Sequence, residues 1–251
     1  MKKFIAAFID KLGFVLISKR KLRTYQTAKL EETYPILQDK TDFLRAKANK
    51  GLREKLIQEK KTKWLEIGCG GTFEENFVYV DLFPNTLVNK KGAYHRLDIV
   101  NATEEEFIKL GKFDLIRMQH VFEHFSPEDG LTVLNNCANL LNPNGYLLIS
   151  TPDLKKYIGF YLTDQIRNNY DWALNRIKKE SPNSFYFSVF THSVKHERHE
   201  WCYDAEGLMY QLERTKKFKE IKEITLIDTL ANIPFTHNRP NEDVCVLAQL
   251  A

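Results

Sequence analysis

Two apolar runs, Lys63-Trp64-Leu65-Glu66-Ile67 and Phe77-Val78-Tyr79-Val80-Asp81, are separated by little more than a glycine cluster, Gly68-Cys69-Gly70-Gly71, and residues 71–76. Both runs are short and rich in β-branched and aromatic residues, as strands are. Glycine at the end of a strand lets a ligand approach the backbone, because no Cβ intervenes. A crossover between parallel strands normally takes about a dozen residues and a helix. The spacing here predicts that this first helix is absent or vestigial.

The rest of the body alternates β-rich and helical stretches, which predicts an α/β fold with a mostly parallel sheet. Further strands are expected at Tyr94–Leu97, Phe113–Met118 and Tyr146–Ser150. Between the last two, Ser126 is an N-cap and Pro127 opens a helix, with Leu131, Leu134, Ala138 and Leu141 on one face. Asn142-Pro143-Asn144-Gly145 is expected to stop the helix and turn the chain. Residues 155–200 read as an irregular, aromatic-rich inserted cap, including Tyr157, Phe160, Tyr161, Tyr170 and Trp172. A helix is expected from an Asp204 N-cap to about Lys217, then a terminal antiparallel pair, Ile221–Ile227 and Val244–Leu250.

Charge separates the front from this body. Residues 1–63 hold 17 Lys and Arg against 7 Asp and Glu, and the remainder holds 20 against 26. Phe4, Ile5, Phe8, Ile9 and Leu12 recur at helical spacing, so residues 1–62 read as a basic amphipathic helical extension of a domain at 63–251. Asp10-Lys11 interrupts its apolar stretch, which argues against a signal peptide or a span of about 20 apolar residues. The four cysteines are scattered without a Cys-x-x-Cys, so neither a disulfide framework nor a zinc knuckle is indicated, and a reduced, cytoplasmic chain is expected.

The glycine cluster fits two common nucleotide sites poorly. A dinucleotide fingerprint needs a third glycine where Phe73 stands, and its ribose-binding acid lies about 20 residues on. Asp81 is only 11 beyond Gly70. A P-loop would need Gly-Lys-Ser/Thr, which is absent.

The run Leu65-Glu66-Ile67-Gly68-Cys69-Gly70 resembles the first motif of class I S-adenosylmethionine-dependent methyltransferases. Asp81 is similar to their ribose-binding acid, and Asp98, in Arg96-Leu97-Asp98-Ile99, to the residue that meets adenine. Phe113–His124 resembles the fourth motif, and Leu141–Leu147 the turn before the fifth strand. His199-Glu200-Trp201-Cys202-Tyr203-Asp204 resembles an element of a compact subfamily associated with cell-surface polysaccharide synthesis. The resemblance implies a Rossmann-like sheet with S-adenosylmethionine as cofactor. It places Gly68, Cys69, Gly70, Asp81 and Leu82 around that cofactor, with Asp98, Ile99 and Gln119, and it gives Glu66 the part of bracing the glycine loop. Thr72 departs from the motif's third glycine, and the shortened crossover leaves the basic front to cover a sheet face.

The acceptor chemistry centres on Gln119-His120-Val121-Phe122-Glu123-His124, with His199 further on. A histidine among His120, His124 and His199 could be the general base, since imidazole titrates near neutrality. Alternatively His120, Glu123, His124 and His199 could grip a divalent metal, an arrangement similar to the Glu-x-x-Glu-His motif of some O-methyltransferases. A third account has Glu123 and His124 merely shaping the loop before Pro127. His192, His196 and His199 at helical spacing read more readily as a solvated or cap-lining face than as a zinc site. The resemblance implies O-methylation of a sugar or glycan hydroxyl, with peripheral membrane contact through residues 1–23. A non-catalytic methyltransferase-like binding module and an RNA 2′-O-methyltransferase are the alternatives. No aromatic-interleaved RNA motif supports nucleic acid as a partner.

Overall fold

The computed structural model describes residues 46–49, 56–69, 77–82, 93–163, 198–224, 235–237 and 243–251. Its elements in chain order begin with β1 Ala46–Asn49, β2 Trp64–Ile67, β3 Phe77–Asp81 and β4 Tyr94–Arg96. Helix α1 Glu104–Leu110 and strand β5 Phe113–Gln119 follow, then a 3-10 turn at Phe122–His124 and helix α2 Pro127–Leu140. Strand β6 Leu141–Pro152, helix α3 Leu154–Leu162 and helix α4 Ala205–Arg214 lead to β7 Phe218–Glu223, β8 Phe235–His237 and β9 Asp243–Leu250.

Seven strands form one sheet in the order β4-β3-β2-β5-β6-β9-β7. The five from β4 to β6 run parallel, and β9 is antiparallel to both β6 and β7. The expected α/β class and terminal antiparallel pair are therefore present. The chain leaves β2 for β3 and β4 on one side, then returns to β5 on the other. A reversal of this kind opens a crevice at the carboxyl ends of the strands, where ligands of open α/β sheets bind.

Both faces of the sheet are buried, which is why its central strands are almost continuously apolar. On one face Leu65, Ile67, Ile116, Met118 and Leu147 pack with Val133 and Leu134 of α2 and with Leu208 and Leu212 of α4. On the other, Trp64, Phe77, Tyr79, Leu115 and Leu148 form a second cluster with Leu56. Caps fix the helices that close the first face. Ser126 accepts from the Asp129 N–H with Pro127 at the first turn, and Asp204 accepts from the Gly207 N–H at 2.8 Å.

Four details differ from the sequence expectations. Residues 46–49, placed in a helical extension, are a strand instead, because they pair antiparallel with Phe235–His237. Helix α1 was not anticipated, although Thr103 and Glu106 form a reciprocal capping box at its start. The cap expected to be irregular from residue 155 opens with α3, which Asp153 initiates by accepting from the Lys155 N–H at 2.9 Å. The turn at 142–145 lies inside β6 as a bulge. Pairing passes from Phe113↔Leu141 to Leu115↔Tyr146, Asn144 takes φ 57°, and Asn142 Nδ2 donates to Asp114 Oδ1 at 2.7 Å. Residues 1–45 and 50–55 of the extension, Thr72, and cap residues 164–197, which include Tyr170, Trp172, His192 and His196, lie outside the described residues.

Candidate functional site

The carboxyl ends of β2, β3, β5 and β6 meet the start of β9 along one edge of the sheet. At β2, the Gly68 N–H donates to the Val80 carbonyl at 2.8 Å, tying the glycine turn to β3. Gly68 has φ +69°, and a Cβ there would collide with the Cγ atoms of Val121. Glycine is thus required twice over. The space left by its missing side chain, which the sequence assigned to a ligand, is filled at this position by Val121. Gly70 lies outside the described residues.

Cys69 follows, buried, with its thiol donating to Asp81 Oδ2 at 3.8 Å. Burial, and then the negative charges of Asp81 and Glu66, push the thiol's pKa up to about 12, so it stays a protonated donor. Asp81 itself is half-buried at the end of β3, and Leu82 beyond it is 45% exposed. Asp98 organises its own turn: Oδ1 accepts from the N–H groups of Val100 and Asn101, and Oδ2 accepts from Asn101 Nδ2 at 2.9 Å. Ile99 is a core residue whose carbonyl accepts from Asn136 Nδ2 at 2.8 Å. Glu66 is buried in β2 and ion-paired with Arg117 of β5.

Strand β5 ends at the buried Gln119, and His120 then takes a left-handed φ of 55°. Strained backbone of this kind persists only where its surroundings over-determine it. Here they do. The His120 N–H donates to the Ser150 carbonyl, Nε2 lies 2.8 Å from Asp243 Oδ2, and Nδ1 lies 3.4 Å from Glu123 Oε1. Burial disfavours the charged ring, but Asp243 and Glu123 outweigh it and push the pKa up to about 10. Both ring nitrogens of His120 thus face carboxylates, Nε2 that of Asp243 and Nδ1 that of Glu123, a geometry that favours the charged ring.

Glu123 is 2% exposed, and among the described residues neither of its carboxylate oxygens has a hydrogen-bond partner. His199 Nε2 lies 4.0 Å from Glu123 Oε1, and the His199 ring meets His124 edge-on with centroids 4.8 Å apart. Donor atoms of Glu123, His124 and His199 all lie within 4.8 Å of one another. Two N–H groups, of Glu200 and Trp201, converge on the Glu123 carbonyl at 2.8 and 3.2 Å, which pins the 198–201 segment to the 3-10 turn. The Trp201 side chain next to it is 50% exposed.

Three residues of this site escaped the sequence reading. Arg117 carried a signal, a cation inside a largely apolar strand. Asp243 carried none, because its partner is 123 residues away. Asp153 accepts hydrogen bonds at the end of β6, yet burial raises its pKa. Among the described residues, no helix is long and apolar enough to cross a membrane, and all four cysteines are free.

Comparison with known proteins identifies a family and a shared fold. A family model described as a methyltransferase domain matches residues 32–214. A solved S-adenosylmethionine-dependent methyltransferase from Clostridium acetobutylicum is 15% identical, covers 89% of this chain and 98% of its own, and superposes with a TM-score of 0.50. The N-methyltransferase NodS from Bradyrhizobium japonicum, solved with S-adenosyl-L-homocysteine, is also 15% identical, with a TM-score of 0.42 over 79% of this chain and 86% of its own. A chemotaxis protein methyltransferase from Vibrio anguillarum is 45% identical over 49 residues, a stretch covering 20% of this chain and only 18% of that protein. The chain belongs to the methyltransferase-domain family.

Proposed function

We propose that the acceptor atom is an oxygen, a sugar or glycan hydroxyl, and that His124 takes its proton. One observation carries this reading. His124 Nδ1 lies 3.0 Å from the Arg198 carbonyl, which can only accept, so Nδ1 holds the hydrogen. In the neutral ring the lone pair is then on Nε2. S-adenosylmethionine, when bound, would supply the methyl group and leave as S-adenosylhomocysteine, and Nε2 of His124 would take the proton that the methylated hydroxyl gives up. A positioned base of this kind contributes about 10²–10⁴-fold. The exposed Trp201, held by its backbone beside His199, offers an apolar surface to a sugar ring. Residues 68–69, Asp81 and the 98–101 turn would hold the cofactor, the carboxylate of Asp81 accepting from ribose hydroxyls.

The test is transfer of labelled methyl from S-adenosylmethionine to a panel of free hexoses, deoxyhexoses and nucleotide sugars. His124→Gln is expected to slow transfer at least a hundredfold while leaving S-adenosylhomocysteine affinity within about twofold. Equal turnover in the variant removes His124 as the base. Membrane contact through residues 1–23 belongs to the same reading, and co-sedimentation with vesicles containing anionic lipid checks it.

A second reading rests on the buried Glu123 oxygens, which have no hydrogen-bond partner among the described residues. One carboxylate and two imidazoles suit zinc, manganese or iron. Bonds of about 2.0–2.2 Å would bring the ligand atoms to about 3.3 Å separation, so Glu123, His124 and His199 fit after a modest contraction. A bound cation would polarise the acceptor oxygen. Titration with Mn²⁺, followed by electron paramagnetic resonance, decides: stoichiometric binding lost in Glu123→Gln supports the cation, and no binding at millimolar Mn²⁺ leaves the base alone.

A further inference from the structure

We infer that Arg117 is a positioning residue for the cofactor turn, a clamp across β5, β2 and β3 where the connection from β2 to β3 is short of a helical crossover; the inference rests on the cofactor reading of that turn. Strands β2 and β3 are parallel neighbours in register from Trp64↔Phe77 to Ile67↔Val80. Nine residues, 68–76, connect them, fewer than the dozen or so that a helical crossover needs. In a longer crossover the helix would cover the sheet face and hold the loop at the strand's end.

On the face built from Trp64, Phe77, Tyr79 and Leu115, a different device spans the same strands. Arg117 of β5 is the direct register partner of Glu66 of β2, and its Nε is ion-paired with the Glu66 carboxylate. Its guanidinium also lies 4.5 Å from the centre of the Phe77 ring, the first residue of β3. Phe77 in turn packs on Trp64 of β2, with centroids 5.7 Å apart. One side chain therefore joins three adjacent strands. Both charges are almost fully buried, Arg117 at 1% and Glu66 at 2% exposure. A planar cation suits this double duty, one edge towards a carboxylate and one face over an aromatic ring, in a way an ammonium cannot.

The consequence reaches the cofactor turn within two residues. Glu66 is followed by Ile67 and then by Gly68, whose N–H bonds to Val80, and Cys69, whose thiol bonds to Asp81. Holding β2 against β3 at Glu66 and Phe77 fixes the distance between the glycine turn and the acid.

Arg117→Lys keeps the charge opposite Glu66 but loses the fork and the stacking. Amide hydrogen exchange on the ligand-free full chain is expected to speed up about tenfold or more at Gly68 and across β3, with β6 and β9 unchanged. S-adenosylhomocysteine affinity, read by calorimetry, is expected to fall about tenfold. Unchanged local exchange, uniform acceleration over the whole sheet, or unchanged affinity in the folded variant each overturns the positioning role. Phe77→Leu keeps the ion pair and removes only the stacking. Its exchange pattern decides by the same criteria should Arg117→Lys fail to fold. If the wild-type chain itself does not bind S-adenosylhomocysteine, the cofactor reading falls, and local exchange alone then decides the clamp.

Discussion

Along the carboxyl edge of the sheet, the Asp81 and Asp98 carboxylates of the β2–β3–β4 half accept hydrogen bonds from nearby sequence, whereas the histidines of the β5–β6–β9 half meet partners from distant sequence. Asp98 receives its three hydrogen bonds from residues two and three positions on, and Cys69 meets Asp81 over 12 residues. By contrast His124 meets the carbonyl of a residue 74 positions away, and His120 a carboxylate 123 away. The first half presents turns whose own hydrogen bonds come from near neighbours in sequence. The second half concentrates buried charge, namely His120, Glu123 and Asp243, and reaches its geometry only when the whole sheet has closed. Ligand recognition suits the first arrangement. Proton handling, which needs groups held away from water with controlled protonation, suits the second.

The largest expected effect lies in the second half. Asp243→Asn removes the carboxylate that lies 2.8 Å from the His120 ring, and breaking a buried ion pair costs about 3–5 kcal/mol. Urea unfolding measures this, and a loss below about 1 kcal/mol would show that the two halves are not built differently. The same pair makes stability depend on pH. The His120 pKa is raised in the folded chain to about 10 from an ordinary 6.5, so its contribution is complete below about pH 6.5 and is lost as pH rises towards 10. Unfolding midpoints are expected to decline across that window in the wild type and to flatten in Asp243→Asn.

Gly68→Ala probes the boundary between the halves, since the glycine turn of β2 touches Val121 of the loop after β5. The left-handed backbone costs an alanine about 1–2 kcal/mol, and the collision with Val121 adds about 1–3 kcal/mol. Adding Val121→Ala should restore the collision component and leave the backbone component. If the double variant recovers nothing, the halves are not in contact through this pair.

Much of this contrast decided what the sequence disclosed. The strands at 64–67, 77–81 and 113–119, the Ser126 and Asp204 caps and the terminal antiparallel pair were legible because periodicity, capping and turn chemistry are local. Gly68 was legible as a turn, but not the side chain that fills its empty Cβ position, because Val121 arrives from another strand. His120 looked like a candidate base because an isolated imidazole titrates near neutrality. Its surroundings depend on Asp243, which is distant in sequence and has no motif of its own. The bulge in β6 was hidden for a related reason: Asn-Pro-Asn-Gly encodes a turn, while strand pairing on either side of it is a property of the sheet.

A smaller effect, on affinity rather than stability, is expected at Asp81. A charge-assisted hydrogen bond contributes roughly 1.5–3 kcal/mol, so Asp81→Ala should weaken S-adenosylhomocysteine binding by about tenfold or more in calorimetry. Unchanged affinity would remove Asp81 from the cofactor site and leave it only as the acceptor for the Cys69 thiol.

The smallest effect separates two roles of one side chain. Asp98→Asn keeps an amide oxygen that can accept from Val100 and Asn101, and gives up the second oxygen that accepts from the Asn101 side chain. On the turn alone the loss is that of one exposed hydrogen bond, below about 1 kcal/mol in thermal unfolding. If the carboxylate also receives the adenine amino group, cofactor affinity falls further than stability does. The quantity that discriminates is thus a ratio, the change in S-adenosylhomocysteine affinity against the change in unfolding free energy. A ratio well above one gives Asp98 to the ligand, and a ratio near zero gives it wholly to the turn.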